Sequence, residues 1–166
     1  FNNTKDLRLY AELVCEQYPV ILSTTFSART TLKNVVYDYI IMDEASQVSI
    51  ETGDLALTGG KNAVIVGDKL QLSNVVTEEN KIILNTIFKD YKIPQGFDCS
   101  KYNFLQSVHS VIPGVKETLL REHYRCHPKI INFCNQKFYG GNLLIMTEDN
   151  AENNVLTAIK TNPGHH

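Results

Sequence analysis

No apolar run in these 166 residues is long enough to span a bilayer. The first residues, Phe1-Asn2-Asn3-Thr4, have neither an initiator Met nor the basic-then-apolar plan of a signal peptide. The expectation is a chain without membrane spans that was cut from something longer. Neither sign of charge is in excess: 16 Lys and Arg stand against 18 Asp and Glu. Composition therefore gives no support to a free-standing nucleic-acid binder, which usually carries a basic stripe. A motor that grips a strand through backbone amides and a few side chains stays open. The four cysteines (Cys15, Cys99, Cys126, Cys134) show no disulfide-like spacing. They read as reduced thiols of a cytoplasmic protein, or a nuclear one in a eukaryote. Internal repeats and low-complexity tracts are absent too. What remains is 43% hydrophobic and 20% charged residues, the make-up of an ordinary globular chain. Its length suits one α/β domain, or one domain and the start of another.

The pattern along the chain is α/β. Leu7, Tyr10, Ala11 and Val14 recur at helical spacing over residues 5–17, and Pro19 stops that helix. Three apolar runs follow: Val20-Ile21-Leu22, then Tyr37 to Met42, then Ala63 to Val66. Continuous apolar strands are expected to be buried on both faces of a parallel sheet. Helices are expected near 49–57, 81–91 and 101–112, the last with Ser100 as its N-cap. A fourth extended run, Thr118-Leu119-Leu120, leads into Tyr124-Arg125-Cys126-His127-Pro128. Pro128 suits the first turn of a helix, in which Ile130, Ile131, Cys134 and Phe138 share a face. Gly140-Gly141 ends that helix, residues 147–154 read as a polar loop, and Asn162-Pro163-Gly164 reads as a turn.

Three apolar runs close on polar groups: Thr24-Thr25, Asp43-Glu44 and Gly67-Asp68. The carboxyl edge of an open parallel sheet is where ligands bind. An apolar strand ending in Asp-Glu has the plan of a Walker B motif, in which one carboxylate serves Mg²⁺ and the next serves the attacking water. The same dipeptide also begins many ordinary turns.

Four ordered segments bear on that choice. Asp43-Glu44-Ala45-Ser46-Gln47 resembles the Asp-Glu-Ala-Ser-Gln signature of Upf-like superfamily 1 helicases. Gly67-Asp68-Lys69-Leu70-Gln71-Leu72 is similar to their motif III, Gly-Asp-x-x-Gln-Leu. Tyr124-Arg125-Cys126-His127-Pro128, with Phe133 and Phe138-Tyr139, resembles their motif IV. Thr24-Thr25-Phe26-Ser27-Ala28 resembles a segment that touches the nucleic-acid strand. The resemblance implies an incomplete RecA-like fold, a parallel sheet flanked by helices as in P-loop NTPases. Residues 1–118 would be the later part of a first motor domain, and 119–166 the start of a second. It implies ATP and Mg²⁺ as cofactors and single-stranded DNA or RNA as partner. Asp43 would be the Mg²⁺ ligand and Glu44 the catalytic base. Gln71 would contact the γ-phosphate beside Asp68, Tyr124 would stack on adenine, and Arg125 would reach the γ-phosphate as a finger in cis. Thr24 and Thr25 would face the strand.

Departures are visible. Ser73-Asn74 stand where the family often has Pro, which predicts a less rigid loop, and Cys126 replaces Met. No Gly-x-x-x-x-Gly-Lys-[Ser/Thr] occurs, so the chain alone is expected to lack the phosphate grip and to be inactive. Two other classes compete with the motor. One is a non-enzymatic interaction domain derived from a helicase, against which intact Asp43, Glu44, Gln71 and Arg125 speak. The other is a different P-loop ATPase, which leaves motifs III and IV unexplained. His123, Cys126, His127 and Cys134 offer zinc-type ligands. Their adjacent spacing, without any Cys-x-x-Cys, argues for packed thiols and capping histidines, and no structural zinc is expected.

Overall fold

The computed structural model describes residues 9–32, 34–160 and 164. Leu7 of the first helix and Asn162-Pro163 of the terminal turn lie outside them. The chain divides into two compact units, one up to Val115 and one from Lys116 onward.

The first unit runs α1 (Ala11–Gln17), α2 (Ala28–Thr31), β1 (Tyr37–Met42), α3 (Ile50–Leu57), β2 (Gly60–Ile65), α4 (Glu78–Asp90) and α5 (Phe104–Val111). Short 3-10 turns occupy Ala45–Gln47 and Gln95–Phe97. Strands β1 and β2 pair in parallel, Tyr37 opposite Gly60 and Met42 opposite Ile65. A parallel pair needs a crossover, and α3 supplies it. The expected strand at Val20-Ile21-Leu22 is not formed: no described strand includes it, and Val20 and Leu22 are 76% and 90% exposed. Among the described residues this sheet has two strands, and the run pairs with neither open edge. Burial on both faces also fails, since Tyr39 and Ile41 are exposed while Met42 is buried. With two strands, only one side of the sheet is covered.

That covered side packs Met42, Ala45, Ala56, Phe104 and Leu105 together. Phe104 is 1% exposed, and Gly53 of α3 is its seat. A Cβ on Gly53 would stand 2.3 Å from the Phe104 ring. Glycine inside a helix costs about 1 kcal/mol, which burial of the ring, worth roughly 2–3 kcal/mol, offsets. A second cluster joins Ala11 and Val14 of α1 to Leu32, whereas Tyr10 stays exposed. Helix α5 begins three residues later than expected. Asn103, not Ser100, is its N-cap, and with Gln106 it forms a reciprocal capping box. The Ser100 hydroxyl bonds Asp98 and Asn85 instead.

The second unit holds β3 (Glu122–His123), α6 (Pro128–Phe138) and β4 (Leu144–Ile145). Strands β3 and β4 are parallel, His123 opposite Ile145. Thr118-Leu119-Leu120 precedes the strand rather than forming it. Pro128 occupies the first turn of α6, as its fixed φ allows. The helix ends as Gly140 and Gly141 take positive φ, +59° and +79°. Its inner side is narrower than expected. Ile131 and Asn135 are buried, but Ile130 and Phe138 are exposed. The Asn135 amide closes on both backbone groups of Leu143, so a polar side chain takes a place the apolar pattern assigned to neighbours.

Candidate active site

The parallel ladder continues past the strand ends and stitches two loops together. The Val66 amide donates to the Met42 carbonyl at 2.8 Å, and the Ala45 amide donates to the Val66 carbonyl at 2.9 Å. Gly67 then lies against the Asp43–Ser46 turn: a Cβ there would come within 3.2 Å of the Ala45 and Ser46 nitrogens. Farther on, the Asn74 amide donates to the Ser46 carbonyl at 3.2 Å. Asp43-Glu44 and Gly67-to-Asn74 therefore form one backbone-bonded platform at the carboxyl edge of the sheet.

On this platform Asp43 and Glu44 are exposed. The Glu44 amide donates to Asp43 Oδ1 at 2.8 Å, and Oδ2 has no hydrogen-bond partner among the described residues. Glu44 holds a left-handed backbone, φ 52° and ψ 38°, in which its Oε2 accepts from Gln47 Nε2 at 3.4 Å. Asp68 organises the second loop, its Oδ1 accepting from the Leu70 amide at 2.9 Å and its carbonyl from the Gln71 amide at 3.3 Å. That leaves the Gln71 side chain exposed. Hard oxygen donors on an exposed edge suit Mg²⁺ better than a soft metal.

The Ser73-Asn74 loop is held rather than loose. The Ser73 hydroxyl accepts from Asn103 Nδ2 at 2.6 Å, and the Phe104 amide donates to the Val48 carbonyl at 2.9 Å. Side-chain bonds to the α5 cap here replace the stiffness a Pro ring would give. Ser46, 1% exposed, has a hydroxyl without a hydrogen-bond partner in the described residues.

Thr24 and Thr25 line an open groove of about 380 Å³ with Phe26, Gln47, Ser49 and Asn74. The structure thus brings the Thr24 segment to both loops of the platform. Thr24 also accepts from the Ser27 amide through its hydroxyl, setting the start of α2.

Tyr124 and Arg125 lie in the second unit. The Tyr124 hydroxyl donates to Glu122, and that bond pushes the phenol pKa up. Glu122, the nearest acid for a surface ion pair with Arg125, is thereby engaged elsewhere. Arg125 is exposed and has no ion pair or hydrogen bond among the described residues. The ligand-type residues do not gather as a zinc set. His123 Nε2 accepts from the Cys126 amide, and His127 Nδ1 accepts from the Lys129 amide as the cap of α6. His127 instead meets Asp149 and Glu152, where Lys129 also pairs with Asp149 at 3.2 Å. All four thiols are free. No described helix is long and apolar enough to cross a membrane.

Comparison with known proteins decides the kinship. A family described as an AAA domain matches residues 3–79. An uncharacterized ATP-dependent helicase of Mycoplasma genitalium is 31% identical over 150 residues, 87% of this chain and 13% of that protein. One from Methanocaldococcus jannaschii is 24% identical over 144 residues, 86% of this chain and 19% of its own length. The chain is superfamily 1 helicase-like. A 5'-3' DNA helicase of Mus musculus is also similar, 26% identical over 135 residues, 78% of this chain and 6% of that protein. The helicase-like chain spans less than a fifth of each relative. Its α/β build, with short parallel sheets flanked by helices, agrees with a partial RecA-like P-loop fold.

Two residues that help hold the motifs in place, Asn103 and Thr147, were missed by the motif reading, and His123 was read only as a ligand-type or capping residue. Only Asn103 carried a usable signal, the Asn-x-x-Gln spacing of a capping box.

Proposed function

We propose that this chain supplies the hydrolytic edge of an ATP-dependent helicase motor that translocates on single-stranded DNA or RNA. The observation carrying this reading is the platform that joins the Asp43-Glu44 turn to the Gly67–Asn74 loop through backbone bonds. Phosphoryl transfer requires positioned charge and a positioned water more than covalent chemistry, and a shared rigid platform supplies positions. Asp43, whose Oδ2 has no hydrogen-bond partner among the described residues, would hold Mg²⁺. When bound, the ion neutralises charge on the phosphate oxygens. Glu44 orients the attacking water and accepts its proton. Gln71 meets the terminal phosphate, and its loop passes that contact on to the groove lined by Thr24 and Thr25. There the exposed ring of Phe26 offers a face on which a base can stack, a sequence-tolerant contact.

The two units are read as the later part of one RecA-like domain and the start of the next. Tyr124 stacks on the nucleotide base, and Arg125 reaches the γ-phosphate. Similarity to proteins named ATP-dependent helicases supports this assignment of ATP as the nucleotide.

Glu44→Gln in the whole protein tests the reading. The amide keeps the shape and cannot take the proton, so ATP binding is expected to persist while turnover falls about 10²–10⁴-fold. Parent-like, nucleic-acid-stimulated turnover in that variant overturns the assignment.

A further inference from the structure

We propose that His123 and Thr147 are positioning residues that aim Arg125 by gripping the peptide group next to it. The inference rests on the reading of Arg125 as the group that meets the γ-phosphate. The peptide segment just after Arg125 is held on both sides by side chains. The Cys126 amide donates to His123 Nε2 at 2.8 Å, and the Cys126 carbonyl accepts from the Thr147 hydroxyl at 2.7 Å. Those grips come from the ends of the two parallel strands. His123 closes β3, Thr147 lies two residues beyond β4, and the Met146 amide donates to the His123 carbonyl at 2.9 Å. The strand pair is thus the anchor, and Cys126 is clamped to it.

On the far side of the loop, His127 caps α6. Loop residues 124–126 consequently have fixed ends and one fixed residue, while the guanidinium of Arg125 has no partner of its own among the described residues. A charged group on a pinned backbone gives up side-chain rotamers but little main-chain freedom when it meets a phosphate, which is part of the preorganisation that transition-state stabilisation demands. With Nε2 as acceptor, the neutral His123 ring carries its proton on Nδ1. Glutamine offers a carbonyl oxygen in nearly the same place, and alanine offers nothing.

Steady-state ATP turnover of the whole protein, run as a double-mutant cycle, tests this. Thr147→Val and His123→Ala are each expected to lower kcat by roughly 10–100-fold and to leave KM for ATP within about twofold. Thr147→Ser and His123→Gln are expected to restore most of that loss. In an Arg125→Ala background, Thr147→Val is expected to cost nothing further, because both changes remove one interaction. Amide exchange at Cys126 is expected to quicken in His123→Ala whether or not nucleotide is present.

If Arg125→Ala cripples turnover and Thr147→Val multiplies the loss, Arg125 acts without this grip and the positioning role is wrong. If Arg125→Ala leaves turnover near the parent's, the reading of Arg125 falls and takes the positioning role with it. Unchanged kcat in folded Thr147→Val and His123→Ala also overturns the proposal. Should Thr147→Val not fold, His123→Ala set against His123→Gln separates the same outcomes.

Discussion

At the scale of single residues, Arg125 is the clearest test of the motor reading. An Arg beside a Tyr in a helix-leading turn is often a surface residue paired with a nearby acid. Such a pair is worth under about 1 kcal/mol and would barely touch turnover. Here Glu122 accepts from the Tyr124 hydroxyl, and the guanidinium has no partner among the described residues. Arg125→Ala in the whole protein should therefore lower turnover on the order of 10³–10⁵-fold, the range for arginine fingers. Lys should rescue only partly, having charge without the planar fork. A few-fold change in single-turnover hydrolysis would return Arg125 to the surface. Gly67 makes a second test. A Cβ would press on the Ala45 and Ser46 nitrogens and stand 3.1 Å from the Leu105 side chain. Gly67→Ala should cost about 1–3 kcal/mol, visible as a lower urea midpoint with unchanged slope. The motif residues were readable because they stand at fixed spacing within four segments that follow in order. Their supports were not, because the two grips on Cys126 come from both sides of it along the chain, one of them 21 residues later.

Elements tell a similar story. Strand β1 could be read end to end, since its apolar run stops at two carboxylates that cannot be buried unpaired. Val20-Ile21-Leu22 looked equally strand-like, but pairing depends on a neighbour, and composition carries no record of neighbours. Helix α5 started late because Asn103 outcompetes Ser100 for the cap: its amide group serves both the first turn and the Ser73 hydroxyl. Asn103→Ala should thus cost more than an ordinary cap, about 2 kcal/mol rather than about 1. Its effect should reach the Ser73-Asn74 loop as faster amide exchange at Asn74.

The Asp98 turn before α5 sets a pH limit. Burial pushes its carboxyl up, but the Ser100 hydroxyl, the Lys101 ammonium and the Ser100 amide together hold it below the usual carboxylate range. The side chain is 0% exposed, and Lys101 Nζ reaches Oδ2 at 2.9 Å. With the folded value depressed, the stabilisation is present above the unfolded value near ~3.9 and disappears as pH falls through the folded one. Asp98→Asn should lower the melting temperature at pH 7 and shrink that acid-side loss.

For the whole molecule, the α/β class followed from alternating apolar and helical patterns, and the superfamily from four ordered motifs. Two-sided burial of the sheet did not follow, because the residues that would cover Tyr39, Ile41 and Val64 are not supplied by the described part of this chain. A triphosphate grip of the Gly-x-x-x-x-Gly-Lys kind is also absent from these residues. Most triphosphate affinity arises from backbone amides of such a loop and its Lys. The 166 residues alone should accordingly show no micromolar ATP binding by calorimetry. Heat evolution with a micromolar midpoint would contradict that.

The left-handed backbone at Glu44 has a consequence for how such a site is kept. Any residue with a Cβ is strained there by about 1–2 kcal/mol, and glycine is not. Glu44→Gly should thus melt higher than Glu44→Gln, although neither hydrolyses ATP at the parent's rate. Stability alone would favour erasing the carboxylate, and every drift toward glycine would be rewarded with a firmer fold. A lineage released from hydrolysis would be free to take that gain, so under the proposed role of Glu44 as the base, a glutamate held in this conformation would be a trade of firmness for chemistry.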